Sequence, residues 1–273
     1  MDVKAPVIME IIFIVIAVSI YLATANTFFI FNFIYIGTAI AVGLFLMSRK
    51  KDYARNIIMI AVGSYLFIYV GIFGHENLSM SGFWYYLFSG VFEAAVIHFL
   101  VAKIAGPFLF GRGWCGYACW TAMILDLFPY KTPEHGRKNW GHVRYLLFIA
   151  ILCTVSALFI FKVNNMDLII FYLFIAGNLI YYAVGIALAF ALNDNRAFCK
   201  YVCPITVFLK ASSYFSILRV TVDGEKCVDC GKCIRTCPMD VDMLDNSRKR
   251  VNGTECILCM KCVNGCKKEA LKL

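Results

Sequence analysis

The chain has 273 residues, of which 61% are hydrophobic and only 16% charged, with a mean hydropathy of +0.74. A soluble globular domain is about 25% charged, so this composition excludes a water-soluble body of that length. The formal charge of +9 does not point to nucleic acid. The basic residues lie in short loops between apolar runs, as at Arg49, Lys50, Lys51 and Arg55, where cations orient membrane segments and meet anionic lipid.

A membrane-spanning helix needs about 20 mostly apolar residues. Six runs qualify, near 7–25, 27–47, 56–74, 83–105, 143–162 and 167–191. In the first, Ala23-Thr24-Ala25 has the form of a signal-peptidase site, but Glu10 interrupts the apolar stretch, and an uncleaved helix is expected. Segment 118–128 is apolar but too short to span, so a re-entrant or interfacial helix is expected there, tolerated if protein covers it. Arg49, Lys50, Lys51, Arg55, Arg112, Lys131, Arg137, Lys138, Arg196 and Lys200 fall on one side of the six spans. The opposite loops (Asn26; His75-Glu76-Asn77; Asn164-Asn165) carry almost no cations, with Lys162 nearby. The positive-inside rule then places both termini in the cytoplasm, in a multi-pass protein of the cell membrane. Of the histidines, His75 and His135 read as solvated loop residues.

From about Arg219 the chain turns polar and cysteine-rich. Of its thirteen cysteines, eight lie in this tail. Cys227, Cys230, Cys233 and Cys237, followed by Pro238, have the C-x2-C-x2-C-x3-C spacing of bacterial ferredoxins. Cys256, Cys259, Cys262 and Cys266 repeat it, with Lys267 in place of the proline. Three close thiolates wrap one face of a [4Fe–4S] cubane, and the fourth of each run ligates the other cluster. Cluster A is therefore expected on Cys227, Cys230, Cys233 and Cys266, and cluster B on Cys256, Cys259, Cys262 and Cys237. Zinc knuckles also use C-x2-C pairs, but a doubled run of four does not fit tetrahedral zinc. Gly231 and Gly265 are candidates for tight turns around sulfur. A module this small needs its clusters to be stable.

Two more pairs stand just after long apolar spans. Arg112-Gly113-Trp114-Cys115-Gly116-Tyr117-Ala118-Cys119 and Arg196-Ala197-Phe198-Cys199-Lys200-Tyr201-Val202-Cys203 share the pattern Arg-x-aromatic-Cys-x-Tyr-x-Cys. Cysteines four apart share a helix face. Together Cys115, Cys119, Cys199 and Cys203 offer four thiolates for a third metal or iron–sulfur centre. A redox-active dithiol or Cu(I) site and plain packing are the other readings. Arg112 and Arg196 would offset thiolate charge or contact lipid headgroups. Glu93 and His98 fall in the fourth span, where ionisable residues suggest function. They are candidates for proton transfer to a quinone, against the plainer reading of a buried hydrogen-bonded pair, and Lys103 is expected to snorkel. Haem b needs paired axial ligands, and only His98 is well placed. Cys153 reads as packing.

These residues carry a family resemblance over roughly residues 60–273. Six spans, Gly111-Arg112 before a cysteine pair, the C-x3-C-Pro run at Cys199–Pro204 and the trailing double ferredoxin run resemble the NapH-like and NosR-like membrane ferredoxins. The cytochrome-oxidase assembly ferredoxins of the same superfamily, which handle copper, are also similar. Trp120 stands where that family usually has proline. The resemblance implies electron exchange between a quinone pool or membrane flavoprotein and a partner reductase.

The expected fold is an all-α polytopic body of about six transmembrane helices with a C-terminal α+β two-[4Fe–4S] ferredoxin-like domain facing the cytoplasm. The expected domains are 1–205, a linker or interfacial helix over 206–218, and 219–273. The expected function is electron transfer, as a subunit of a multi-protein oxidoreductase complex that meets membrane lipid and redox partner proteins, with a quinone as a further candidate. The alternatives are a copper reduction or assembly factor and a redox sensor.

Overall fold

The structure is a computed structural model and describes residues 4–49, 51, 53–92 and 94–273. Its body is helical because the sequence supplies long apolar runs with few breakers, and a helix satisfies its own backbone polar groups where water is absent. Five helices are long and apolar enough to cross a membrane. They are α1 (Lys4–Thr24), α2 (Phe28–Ser48), α3 (Ala54–Phe73, π-helical over Tyr65–Phe73), α8 (Val143–Ile160) and α9 (Met166–Leu192). Between α3 and α8 lie α4 (Met80–Phe88), a composite α5, and the one-turn pieces α6 (Gly113–Tyr117) and α7 (Trp120–Leu125). In α5, Ala94–Phe99 runs through a π-helical stretch, Leu100–Ala105, into Gly106–Phe110.

The fourth expected span, 83–105, is not one helix. Gly90 takes φ +69, a left-handed conformation that glycine accepts readily, and the apolar run breaks there into α4 and α5. Asn77, in the loop between α3 and α4, is shielded from the surroundings. It is fully buried, donating from Nδ2 to Ile170 O (2.8 Å), while its Oδ1 accepts from the Ser79 amide (2.9 Å).

Helices α1 and α2 form a hairpin, with Gly37 lying so close to Phe13 that a Cβ would stand 2.5 Å from the phenylalanine Cβ. Glu10, the acidic interruption of the first run, accepts a hydrogen bond from the Thr38 hydroxyl (2.9 Å) across that hairpin. Outward faces are apolar: Ile11, Val15, Leu22, Phe31, Leu146 and Leu179 are each more than half exposed. So much exposed apolar surface fits lipid rather than water. The short α7 lies under protein cover, since Trp120 Nε1 donates to Asn178 Oδ1 of α9 (2.7 Å) and Tyr182 Oη to Trp120 O (3.4 Å).

Within 206–218 the structure has a helix, α11 (Thr206–Ser213), packed into the body. Its Phe208 meets Phe83, Trp84, Phe99 and Phe148. The chain then runs beside the end of α5, with Ile217 and Leu218 amides donating to Phe108 and Leu109 carbonyls (2.9 and 2.7 Å).

The tail closes on a two-stranded antiparallel ribbon, β1 (Thr221–Val222) with β2 (Leu271–Lys272), pairing Thr221 with Lys272. One-turn helices α12 (Lys232–Arg235) and α13 (Lys261–Asn264) lie between. Left-handed residues recur in step with the cysteines: Asp229, Gly231 and Asp240 in the first half, Leu258, Met260 and Glu269 in the second. The backbone thus winds the same way around both runs. Gly265 takes an ordinary φ of −84, so the turn expected there belongs to Met260, the counterpart of Gly231.

Candidate iron–sulfur sites and their junction

In the tail, Cys227, Cys230, Cys233, Cys262 and Cys266 line one cavity of about 230 Å³, with Gly231 and Gly265. Cys237, Cys256, Cys259 and Cys262 line a second, smaller one with Met239, Met243 and Ile257. The last cysteine of each run thus lines the cavity of the other run's first three, and Cys262 lines both cavities. Cys230 is exposed, whereas Cys237 and Cys262 are buried. Backbone amides converge on the sulfurs. Those of Ala270, Lys268, Leu271 and Glu269 point at Cys266 and hold its thiol below the usual range against burial. Burial drives the Cys237 thiol up to about 11 despite amides from Val241 and Met239. An amide that donates to sulfur favours the thiolate, the form that binds metal.

The four body cysteines also come together. Helix α6 carries Cys115, and α10 (Ala197–Tyr201) carries Cys199. Both helices are one turn long, so Cys119 and Cys203 lie just past their ends rather than on a continued helix face. Each is within electrostatic range of the others: Cys203 feels Cys199, Cys115 and Cys119. Burial is the largest influence and raises Cys203 well above the usual thiol range. It raises Cys199 to about 11, with Arg196 acting in the opposite direction. The two motifs also exchange partners. Arg196 Nη1 donates to Cys115 O (2.9 Å), and Arg112 Nη2 donates to Cys199 O (3.4 Å). This reciprocity is what a pseudo-two-fold relation between the copies would produce. Among the described residues, no three His, Cys, Asp or Glu side chains close on a single-ion site, in body or tail.

Two of the body cysteines, Cys115 and Cys199, share a core with the tail. Cys115, Cys199, Cys237, Cys262, Ile257 and Leu258 belong to one buried cluster. Tyr117 Oη donates to Leu258 O (2.7 Å), and Gly116 faces Ile257 O so closely that a Cβ would stand 2.3 Å away. The loop of Cys256–Cys262 is therefore the part of the tail seated on the first body motif.

Charge at this junction is largely buried. Glu255, 1% exposed, is contacted by Arg112, by Arg137 (3.0 Å), by Arg144 (2.9 Å) and by Lys210 (3.4 Å). Asp126 takes Arg55 (2.7 Å) and Arg196 (2.5 Å). Burial works to raise the Asp126 carboxyl, but Arg196 and Arg55 overcome it and hold the carboxyl below its usual range. Lys200 bridges Asp194 (2.7 Å) and Asp240 (2.6 Å). Among the described residues, seven basic side chains thus share four carboxylates here. Arg112 and Arg196, expected either to offset thiolates or to touch lipid, are at most 1% exposed and face protein.

His98 is buried, its ring 5.2 Å from that of Trp114 and 6.5 Å from that of Trp120, with Nε2 lacking a protein partner. Lys103 does not snorkel. It is 3% exposed, with Nζ 4.8 Å from the Trp114 ring and within range of Cys119. Glu93 lies outside the described residues. Cys153 is exposed on the apolar surface of α8, not packed in a core. Sequence reasoning missed Glu255 and Asp126, and marked Tyr117 only as part of the repeated motif. An acid in the apolar segment 118–128 was the available signal for Asp126. Glu255 had no such signal beyond adjacency to a motif.

Comparison with known proteins agrees with this geometry. The 4Fe-4S dicluster domain family matches residues 219–267, and the 4Fe-4S binding domain family matches twice, at 93–141 and 169–219, once around each body cysteine pair. An uncharacterized protein of Methanocaldococcus jannaschii is 28% identical over 62% of this chain and 68% of its own. YccM of Escherichia coli, named as an electron transport protein, is 25% identical over 54% of this chain and 46% of its own. MauN of Paracoccus denitrificans, named as a methylamine utilization ferredoxin-type protein, is 25% identical over 47% and 48%. The chain thus spans about half the length of the latter two. No solved structure matches. With a 4Fe-4S dicluster domain following a body of membrane-length helices, the chain is consistent with a membrane ferredoxin superfamily.

Proposed function

We propose that the protein is an electron conduit with two [4Fe–4S] clusters in its tail and a third thiolate-bound centre at the body cysteines. Cluster A is assigned to Cys227, Cys230, Cys233 and Cys266, and cluster B to Cys256, Cys259, Cys262 and Cys237. When bound, an iron–sulfur cluster stores and releases one electron with little change of shape. The chain's own residues do the rest. Backbone amides favour thiolate at Cys266 and Cys237, the half-open cavity around Cys230 lets a redox partner protein approach, and Gly116 lets the cluster B loop sit on the body motif.

The observation that carries the third centre is the cationic excess beside four thiols, of which Cys115 and Cys199 are buried and Cys119 and Cys203 half-buried. Four thiolates in a dry setting repel strongly, yet the surroundings hold three more basic groups than carboxylates. Buried positive charge on this scale calls for an anionic occupant, which a thiolate-ligated cluster supplies. We place the tail and the cysteine motifs at the cytoplasmic face of the cell membrane, on the charge bias of the loops. A quinone is the small-molecule partner we assign to the body, with His98 as its proton-handling group.

Iron, acid-labile sulfide and copper are measured per chain in the anaerobically purified full-length protein and in its Cys203→Ala variant. Iron and sulfide beyond two clusters, lost in the variant while both tail EPR signals persist, is the expected result. Iron for two clusters only, with copper lost on the substitution, would instead make the protein a copper-handling factor.

A further inference from the structure

Glu255 immediately precedes Cys256, and its carboxylate is the point where the tail enters the arginine pocket. The basic groups around it come from separate parts of the body: Arg112 ahead of α6, Arg137 in the following loop, Arg144 at the start of α8, and Lys210 on α11. Arg112 also donates to Cys199 O and lies three residues before Cys115. One side chain thus ties the cluster B loop to both body motifs. Tyr117 and Gly116 hold the next two residues of that loop, Leu258 and Ile257. Charge balance alone would be served by a carboxylate anywhere in the pocket. Its attachment directly before a ligand cysteine is what couples pocket and loop.

We propose that Glu255 is a positioning residue that fixes the Cys256–Cys262 loop against Cys115 and Cys199, and so sets the rate of electron exchange between cluster B and the body centre. The inference rests on the reading of the four body cysteines as a redox centre. The order of transfer is partner protein, cluster A, cluster B, body centre, or the reverse. In each step one cluster loses one electron and its neighbour gains one, with no bond made or broken and no proton required. Arg137 and Arg144 hold the carboxylate, and their own attachment to different segments resists rocking of the tail.

The test uses the full chain in lipid nanodiscs, reduced anaerobically with dithionite, comparing wild type, Glu255→Gln and Glu255→Asp. The readouts are iron per chain, the magnetic interaction between clusters by EPR, and the freeze-quenched rate at which the body centre is reduced after the tail. In Glu255→Gln, iron content and the interaction between the two tail clusters should be unchanged. The interaction of cluster B with the body centre should weaken, and its reduction should slow. Glu255→Asp should recover part of both. An undiminished interaction and rate in Glu255→Gln would overturn the proposal and leave Glu255 a charge balancer. Wild type with iron for only two clusters would overturn the reading beneath it, a failure visible before any variant is made. If Glu255→Gln does not fold, Gly116→Ala displaces the same loop without altering charge. The same selective loss is expected of it, and its absence overturns the proposal.

Discussion

At the scale of single residues, the buried carboxylates and the fourth cysteine of each tail run carry the sharpest consequences. Asp126→Asn leaves Arg196 and Arg55 without their shared partner, and removing one side of a buried ion pair costs about 3–5 kcal/mol. Thermal unfolding of the full chain in detergent should show that loss near neutral pH. The Asp126 carboxyl sits below its ordinary value, so its contribution is complete above about pH 4 and falls away as pH drops through the lower folded value. The gap between wild type and Asp126→Asn should therefore narrow on acidification below pH 4 and stay constant above it. A gap that widens on acidification would contradict the pairing. Cys237→Ala should abolish the EPR signal of cluster B and spare that of cluster A, because Cys237 lines the cavity of the second run and not that of its own. Loss of cluster A alone would reverse the assignment. The cysteines were legible in the sequence because their chemistry is written in spacings of two to four residues. Glu255 was not, since its arginine partners lie 111 to 143 residues away and nothing local marks it.

Among elements, the broken fourth span and the covered α7 show where a hydropathy reading stops. A run of apolar residues announces a helix but not its interruption, and the positive φ at Gly90 is a backbone choice that apolar neighbours conceal. The short segment 118–128 was expected to need cover, and α9 supplies it through Asn178. That asparagine accepts from Trp120 Nε1 and donates from Nδ2 to Phe174 O (2.8 Å). Trp120, a departure from the proline usual at that place, is thus the anchor of α7. Trp120→Phe keeps most of the ring but strands a buried acceptor, for about 1–3 kcal/mol. The midpoint of thermal unfolding should fall, and a further Asn178→Leu substitution should give back part of the loss. An unchanged midpoint in Trp120→Phe would show that the bond contributes nothing net.

For the whole molecule, the charge bias of the loops sets an orientation that thiol labelling checks. An impermeant thiol reagent applied to intact cells should label a cysteine introduced at Asn165, which is exposed at the end opposite the cysteine motifs. It should not reach the tail thiols until the membrane is permeabilised. Tail labelling from outside would invert the assignment. Asn77 is no use for this purpose, being fully buried.

The arginine pocket also constrains how such a molecule can be made. Arg112, Arg137 and Arg144 leave the ribosome more than a hundred residues ahead of Glu255. Throughout that interval these three guanidinium groups lack the one carboxylate that contacts all of them. The pocket is therefore completed only by the last fifth of the chain, whose Glu255 closes what the first four-fifths leave open.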